Sequence, residues 1–393
     1  MTRRLPLFAL CALLLMVSLS GCSEPLREAP ITLKGQIFGT YYQVILAKPM
    51  TRDQVADIEA GILDELEAVD ASMSTYREDS ELSNFNRSPL GEWQPLSPEL
   101  MQVLEISRQV SKASDGAFDI TVGGLVNLWS FGPEARPEKV PPEDQLEERL
   151  AQIGPDKVEL DIEACRARRL SDVYVDLSAV AKGYGVDQVG DYLEAQGVDN
   201  FLVDIGGELV LSGHRDDSGD PWRVGVEVPD EHRQVAQYVL ALTDMSVATS
   251  GDYRNYFEED GKRYSHTIDP RTGRPVEHAL ASVTVLGDTT ADADAWATAL
   301  SVLGPQASLE TARREGLAVL TLERDGEGWI SRVSPAFAER VGDAALDKLG
   351  IPRPDQAPAQ DADQTPVEDS SQISVEDSAQ APVEDSAQDN EET

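Results

Sequence analysis

Apolar residues recur at Val55, Ile58, Ile62, Leu66 and Val69, a helical period, and Thr51 stands where such a helix needs its cap. Ser97-Pro98 opens a second periodic stretch, with the proline at the first helical position and Leu100, Val103, Leu104 and Val110 on one face; it should stop near Gly116. After a proline-rich loop over 131–142, Leu146, Leu150 and Ile153 mark a further helix. Ser178 reads as the cap of a helix over Ala179–Gln196 that Gly197 ends. A helix from Ala291 runs to about Gly304, and a shorter one follows.

Between these stretches the pattern alternates. Leu33–Ala47 reads as a strand interrupted at Gly39, and Val158–Asp176 as a hairpin whose second strand carries Val173, Val175 and Leu177. Phe201, Val203 and Ile205 form a strand, Gly206-Gly207 a tight turn, and Leu209–Leu211 its return. Further strands are expected at Trp222–Val228, Tyr238–Ala248, Tyr253–Phe257, Tyr264–Ile268, Ala281–Leu286 and Leu317–Leu322. Long helices early and runs of adjacent strands later predict an α+β fold with mostly antiparallel sheet. In 116–126, apolar residues abut glycines, which predicts backbone lying close to a ligand or to another strand. Gly183-Tyr184-Gly185 lies inside a helix, so it is not a dinucleotide fingerprint.

Composition sharpens the two ends. Arg3-Arg4, an apolar run over Leu5–Leu19 and Leu19-Ser20-Gly21-Cys22 form a lipoprotein-type export signal, with acylation expected at Cys22 after cleavage. Ser23 favours the outer of two membranes, with the chain lipid-anchored in a bacterial envelope and facing the periplasm. The expected layout is a signal over 1–21, a tether over 22–30, one catalytic domain over 31–352 and a disordered acidic tail over 353–393. The tail holds three eight-residue repeats, each with Val-Glu-Asp-Ser, starting at Pro366, Ser374 and Pro382. The net charge is −38, and −26 without the twelve acidic residues of 354–393, which argues against nucleic acid as a partner. Once Cys11 and Cys22 are spent on signal and lipid, Cys165 is left with no disulfide partner in the mature chain.

The chemistry concentrates in Ser265–Thr298, which holds His266, His278 and the basic loop Asp269-Pro270-Arg271-Thr272-Gly273-Arg274-Pro275. Asp294 and Thr298 are four apart, so a helix places a carboxylate and a hydroxyl one turn apart on one face. Such hard oxygens suit Mg2+ or Ca2+. The plainer reading of Asp294 is a helix cap. Helix starts and glycine turns bind phosphate oxygens, and a cation between carboxylates and phosphates removes their repulsion. Together these point to metal-assisted chemistry on a phosphate ester, with His266 either the base or a core histidine of a strand.

Met-Ser-Thr-Tyr-Arg (73–77), GAFDITVGGLVNLW (116–129), DLSAVAKGYGVD (176–187), SGDYRNYF (250–257), SHTIDPRTGRPVEH (265–278) and DADAWATALSVLG (292–304) occur in that order. From about Ile31 to about Leu349 the chain resembles the flavin transferase (ApbE) family. The resemblance implies Mg2+-dependent transfer of FMN from FAD onto a threonine hydroxyl of an acceptor protein, with AMP released. It implies Asp294 and Thr298 as metal ligands, joined by backbone oxygens of Ala179 and Ala297. Flavin-nucleotide contacts fall on Phe38, Tyr76, Ala117, Phe118, Asp119, Asp176, Lys182 and Ile268, and His266 takes the base's place. The implied acceptors are exported-side subunits of membrane redox complexes, of the Na+-pumping NADH:quinone reductase or Rnf type. The alternatives are an Mg2+-dependent FAD pyrophosphatase, which a Tyr76 ring covering the nucleotide would disfavour, and a flavin-binding lipoprotein without turnover.

Overall fold

The computed structural model describes residues 26–134, 136–228, 236–251, 255–326 and 328–354. Cys22, the leader, the acidic repeats, Asp252 and Tyr253 lie outside them.

Eight antiparallel strands form the central sheet: β1 (Ile31–Ile37), β2 (Thr40–Leu46), β3 (Phe201–Ile205), β4 (Glu208–Ser212), β5 (Met245–Gly251), β6 (Leu280–Gly287), β7 (Ala318–Asp325) and β8 (Gly328–Val333). Each strand pairs with the next, so the sheet is a meander with long insertions at its turns. Four helices carry most of the remaining architecture: α1 (Arg52–Met73), α2 (Pro98–Ala113), α3 (Ala181–Ala195) and α4 (Thr290–Leu303). Thr51 and Gln54 bond reciprocally at the start of α1, and Ser97 accepts from Leu100 N at the start of α2. Those two helices form where capping and period predicted them.

Both faces of the sheet are covered, which is why β6 is buried from Leu280 to Leu286. On one face Val283, Val285 and Val319 pack with α2 and α4. On the other, Leu286, Leu320 and Leu322 meet Trp222, Val224 and Phe337. β1–β3 pack against α1 and α3. Phe337 is fully buried, so its truncation should cost about 3–5 kcal/mol. Among the described residues no helix is long and apolar enough to cross a membrane.

A meander alternates strand direction, so the β1–β2, β3–β4 and β5–β6 connections all lie at one end of the sheet. The first is a turn at Phe38 (φ 52°) and Gly39 (φ 73°). The second is Gly206-Gly207, and the third carries His266 and Ile268 in its described part, 255–279. Phe38 holds a left-handed backbone that few bulky residues adopt, strain of the kind that gathers at functional sites.

Several expectations change. Leu33–Ala47 is two strands folded back at Phe38-Gly39, because the turn needs both residues at positive φ. Tyr238–Ala248 is split at Asp244 (φ 47°): Ala236–Leu242 pairs with Trp222–Glu227, and β5 joins the central sheet. Tyr264–Ile268 divides between a hairpin, Tyr256–Glu259 with Lys262–Ser265, and a short ladder of Ile268–Asp269 with Arg274–Pro275. The first hairpin is only Val158–Asp161 with Arg166–Arg169. Val173, Val175 and Leu177 are buried, yet their stretch makes only a single bridge, Tyr174 to Val122. β8 and the helices Pro335–Val341 and Asp343–Leu349 follow the strand expected to be last. Ser178 does not cap α3: its N–H and hydroxyl both donate to Asp176 Oδ1, at 2.8 and 2.5 Å, and the helix starts at Ala181.

Candidate functional site

A cavity of about 950 Å3 opens at the turn end of the sheet. Its floor is a charged trio. Lys182, in the first turn of α3, reaches Glu208 Oε1 at 3.0 Å and Asp294 Oδ2 at 3.3 Å. Glu208 follows the Gly206-Gly207 turn and Asp294 lies on α4; both are buried. Asp294 Oδ2 also accepts from Gly183 N at 3.1 Å. Asp294 therefore caps α3, supplying the acceptor that Ser178 does not. That contact needs a close approach, and a Cβ on Gly183 would sit 2.3 Å from the Thr290 carbonyl oxygen.

The electrostatics follow from enclosure. Burial works against the Lys182 charge, but Asp294 and then Glu208 outweigh it and hold the ammonium above the ordinary lysine range. Burial pushes the Glu208 carboxyl up, against the pull of Lys182, and Asp294 adds to the rise. Burial also raises Asp119, against two bonds from Thr121 to its Oδ1, at 2.8 Å from N–H and 2.7 Å from the hydroxyl.

His266 lines the same cavity. Its Nδ1 is 3.0 Å from the Asn255 carbonyl oxygen, which also accepts from His266 N at 3.0 Å. A carbonyl accepts only, so Nδ1 carries the proton of that bond. Thr298 Oγ1 lies 3.2 Å from Ser250 Oγ, one turn along α4 from Asp294. Tyr76 lies at the rim, 69% exposed, and nearby Asp176 adds to the rise that burial imposes on its phenol.

The donors fit a hard divalent cation. Asp294, Thr298 and Ala179 line the cavity, and Glu208 Oε2 is buried without a hydrogen-bond partner among the described residues. Carboxylate, hydroxyl and carbonyl oxygens are what Mg2+ takes.

The family model for ApbE matches residues 38–321. The chain belongs to the ApbE family. It is 42% identical to the FAD:protein FMN transferase of Haemophilus influenzae, over 83% of this chain and 95% of that protein. It is 40% identical to the FAD:protein FMN transferase of Escherichia coli K12, over 81% and 92%. The solved flavin transferase ApbE of Vibrio cholerae superposes with a TM-score of 0.72 at 38% identity, covering 80% of this chain and all of that one. The apo flavinyl transferase ApbE of Pseudomonas stutzeri gives 0.72 at 38%, over 81% and 98%. The α+β, antiparallel ApbE-type fold expected from the sequence is the one observed.

The ApbE cavity gathers residues that are far apart in the chain. Phe38, Tyr76, Ala117, Phe118, Asp119 and Asp176 line it, with Lys182, His266 and Ile268. Ala179, Asp294 and Thr298 line it too, whereas Ala297 is fully buried in α4 and is not part of the lining. Glu208 escaped sequence reading; its one signal was a carboxylate directly after a glycine turn at the start of an apolar strand. The basic loop is not a free phosphate grip: Arg271 is tied to Asp269 at 2.8 Å and Arg274 to Glu143, while Gly273 O accepts from Trp129 Nε1 at 2.9 Å. Of the glycines of 116–126, Gly123 serves packing, since a Cβ there would meet the Tyr174 carbonyl at 2.6 Å, while Gly116 turns the chain at φ 76°.

Proposed function

We propose that this chain transfers FMN from FAD to a threonine hydroxyl of an acceptor protein, with Mg2+ bound and AMP released. What carries the reading is one cavity that holds a basic imidazole nitrogen and a hard-oxygen wall, in a chain 42% identical to a named FAD:protein FMN transferase. The threonine oxygen attacks the phosphorus of the FMN half, and its proton passes to His266 Nε2. The bridging P–O bond breaks, and AMP leaves with that electron pair. A phosphoester forms, so atoms and charge balance. Asp294, Thr298 and the Ala179 carbonyl would hold Mg2+, which when bound offsets charge on the diphosphate oxygens. Phe38 and Tyr76 offer ring faces to a flavin or adenine, and Asp119 and Asp176 offer acceptors.

The lipoprotein-type leader supports an envelope location, with Cys22 lipidated and the acceptor an exported-side subunit of a membrane redox complex. The test is mass spectrometry of an acceptor domain incubated with the protein, FAD and Mg2+. An FMN adduct on threonine is expected. His266→Ala should slow its formation about 10²–10⁴-fold. Free FMN released at the same rate without acceptor would make the protein a pyrophosphatase instead.

A further inference from the structure

We propose that Lys182 is a placeholder cation: its ammonium holds Asp294 until a divalent ion takes that carboxylate, and it then moves wholly onto Glu208. The inference rests on the metal reading of Asp294 given above.

The geometry assigns each partner a different part. Asp294 is fixed, since Gly183 N holds its Oδ2 at 3.1 Å. Its Oδ1 has only the Lys182 ammonium beside it, at 3.5 Å, longer than a good charge-assisted bond. Lys182 is the adjustable member, a point charge on a flexible four-carbon stem. Glu208 is the second anchor, set in the sheet at the edge of a tight turn and bonded through Oε1 at 3.0 Å. Its Oε2 is buried and has no hydrogen-bond partner among the described residues. A buried carboxylate oxygen left unsatisfied is costly and needs a reason. As the acceptor that Lys182 turns to when Asp294 is taken, it has one.

Charge points the same way. Two carboxyl groups share one ammonium in an enclosed space, so a cation that takes Asp294 leaves Glu208 as the ammonium's remaining partner. A Mg2+ ion would sit about 2.0–2.1 Å from a ligand oxygen. An ammonium 3.5 Å from that same oxygen would repel it strongly. The lysine therefore competes with the metal while on Asp294 and ceases to compete once on Glu208. After the exchange it still faces the cavity, as a second positive charge for a diphosphate.

The experiment is Mn2+ titration of the full chain without flavin, at low ionic strength, following free Mn2+ by electron paramagnetic resonance. Wild type should bind one ion, and Asp294→Ala should lose it. Lys182→Met should bind Mn2+ at least about fivefold more tightly than wild type, because the competing charge is gone. Lys182→Gln, which keeps an N–H donor for both carboxylates, should do the same and replaces Lys182→Met if that variant does not fold. Glu208→Gln should weaken binding, and that loss should vanish in a Lys182→Met background. Equal or weaker Mn2+ binding by the neutral Lys182 variants would overturn the placeholder. So would a Glu208→Gln loss that persists without the lysine. Wild type and Asp294→Ala binding alike would instead remove the metal reading of Asp294.

Discussion

Asp187 on α3 and Asp294 on α4 cap each other's helices, but only Asp294 faces the cavity. Asp187 accepts from Thr290 N at 2.7 Å through Oδ1 and from Ala291 N at 2.9 Å through Oδ2. Backbone donors thus use both of its oxygens. Asp294 accepts one backbone N–H, through Oδ2, and its remaining capacity is met by a side-chain ammonium. The same residue type, at the same kind of helix end, is spent entirely on structure in one place and half kept for exchange in the other. A backbone N–H cannot leave without unwinding a helix, whereas a lysine can rotate away. On the metal reading proposed above, this difference separates a carboxylate that only holds the fold from one that also takes a metal ion.

The largest break in this symmetry is expected from alanine at each position. Asp294→Ala should lower FMN transfer on the order of 10²–10³-fold, since several kcal/mol of charge stabilisation is lost. Asp187→Ala should leave transfer within a few-fold of wild type and instead strand two N–H groups, at a cost of about 1–3 kcal/mol. Initial rates of adduct formation and melting curves on the same preparations separate the two. Equal losses of transfer would show that both carboxylates serve catalysis. Gly183→Ala tests the approach that lets the helices trade caps. Its Cβ would press on the Thr290 carbonyl at 2.3 Å and on Ala291 Cα at 2.9 Å. Both neighbours are backbone, so a loss of about 1–3 kcal/mol is expected, with a lower Tm and slower transfer together. An unchanged Tm would mean that the helices can separate freely.

How much of this was legible follows from which partners are local. α1 and α2 could be read because caps and apolar period lie within a few residues of one another. The α3 start was misread because Ser178 is a good cap by type, yet its hydroxyl is taken by Asp176 and the real acceptor lies 111 residues downstream. The break at Asp244 was hidden because apolar residues run on both sides of it with no glycine or proline between, although the inward positions change phase there, from Leu240 and Leu242 to Val247. Asp294 and Thr298 could be paired from spacing alone, since a helix fixes their relation. Their relation to Lys182 and Glu208 comes from the packing of α3 on α4 and β4, which no local pattern encodes. For His266, composition left base and core histidine both open; the Asn255 carbonyl, which sets its tautomer, is contributed by a neighbouring segment of the same insertion.

The smallest effect is the pH response of the saturated cap. Burial pushes the Asp187 carboxyl up to about 6, against the bonds from Ala291 and Thr290 that favour its charged form. An unfolded aspartate titrates near 3.9. Between those values the folded chain binds more of this proton than the unfolded chain does. Stability from this group is therefore fully present below about pH 4 and is lost as the pH rises through about 6, on the order of 3 kcal/mol. Many other carboxylates titrate in the same window, so the readout is a difference. The gap in Tm between wild type and Asp187→Ala should narrow from pH 4.5 to pH 7 and stay flat above it. A gap that widens with pH would mean that the two N–H bonds outweigh burial and that the charged carboxylate is the preferred cap. Asp187 would then match Asp294 in kind, and the two carboxylates would differ only in what stands beside them.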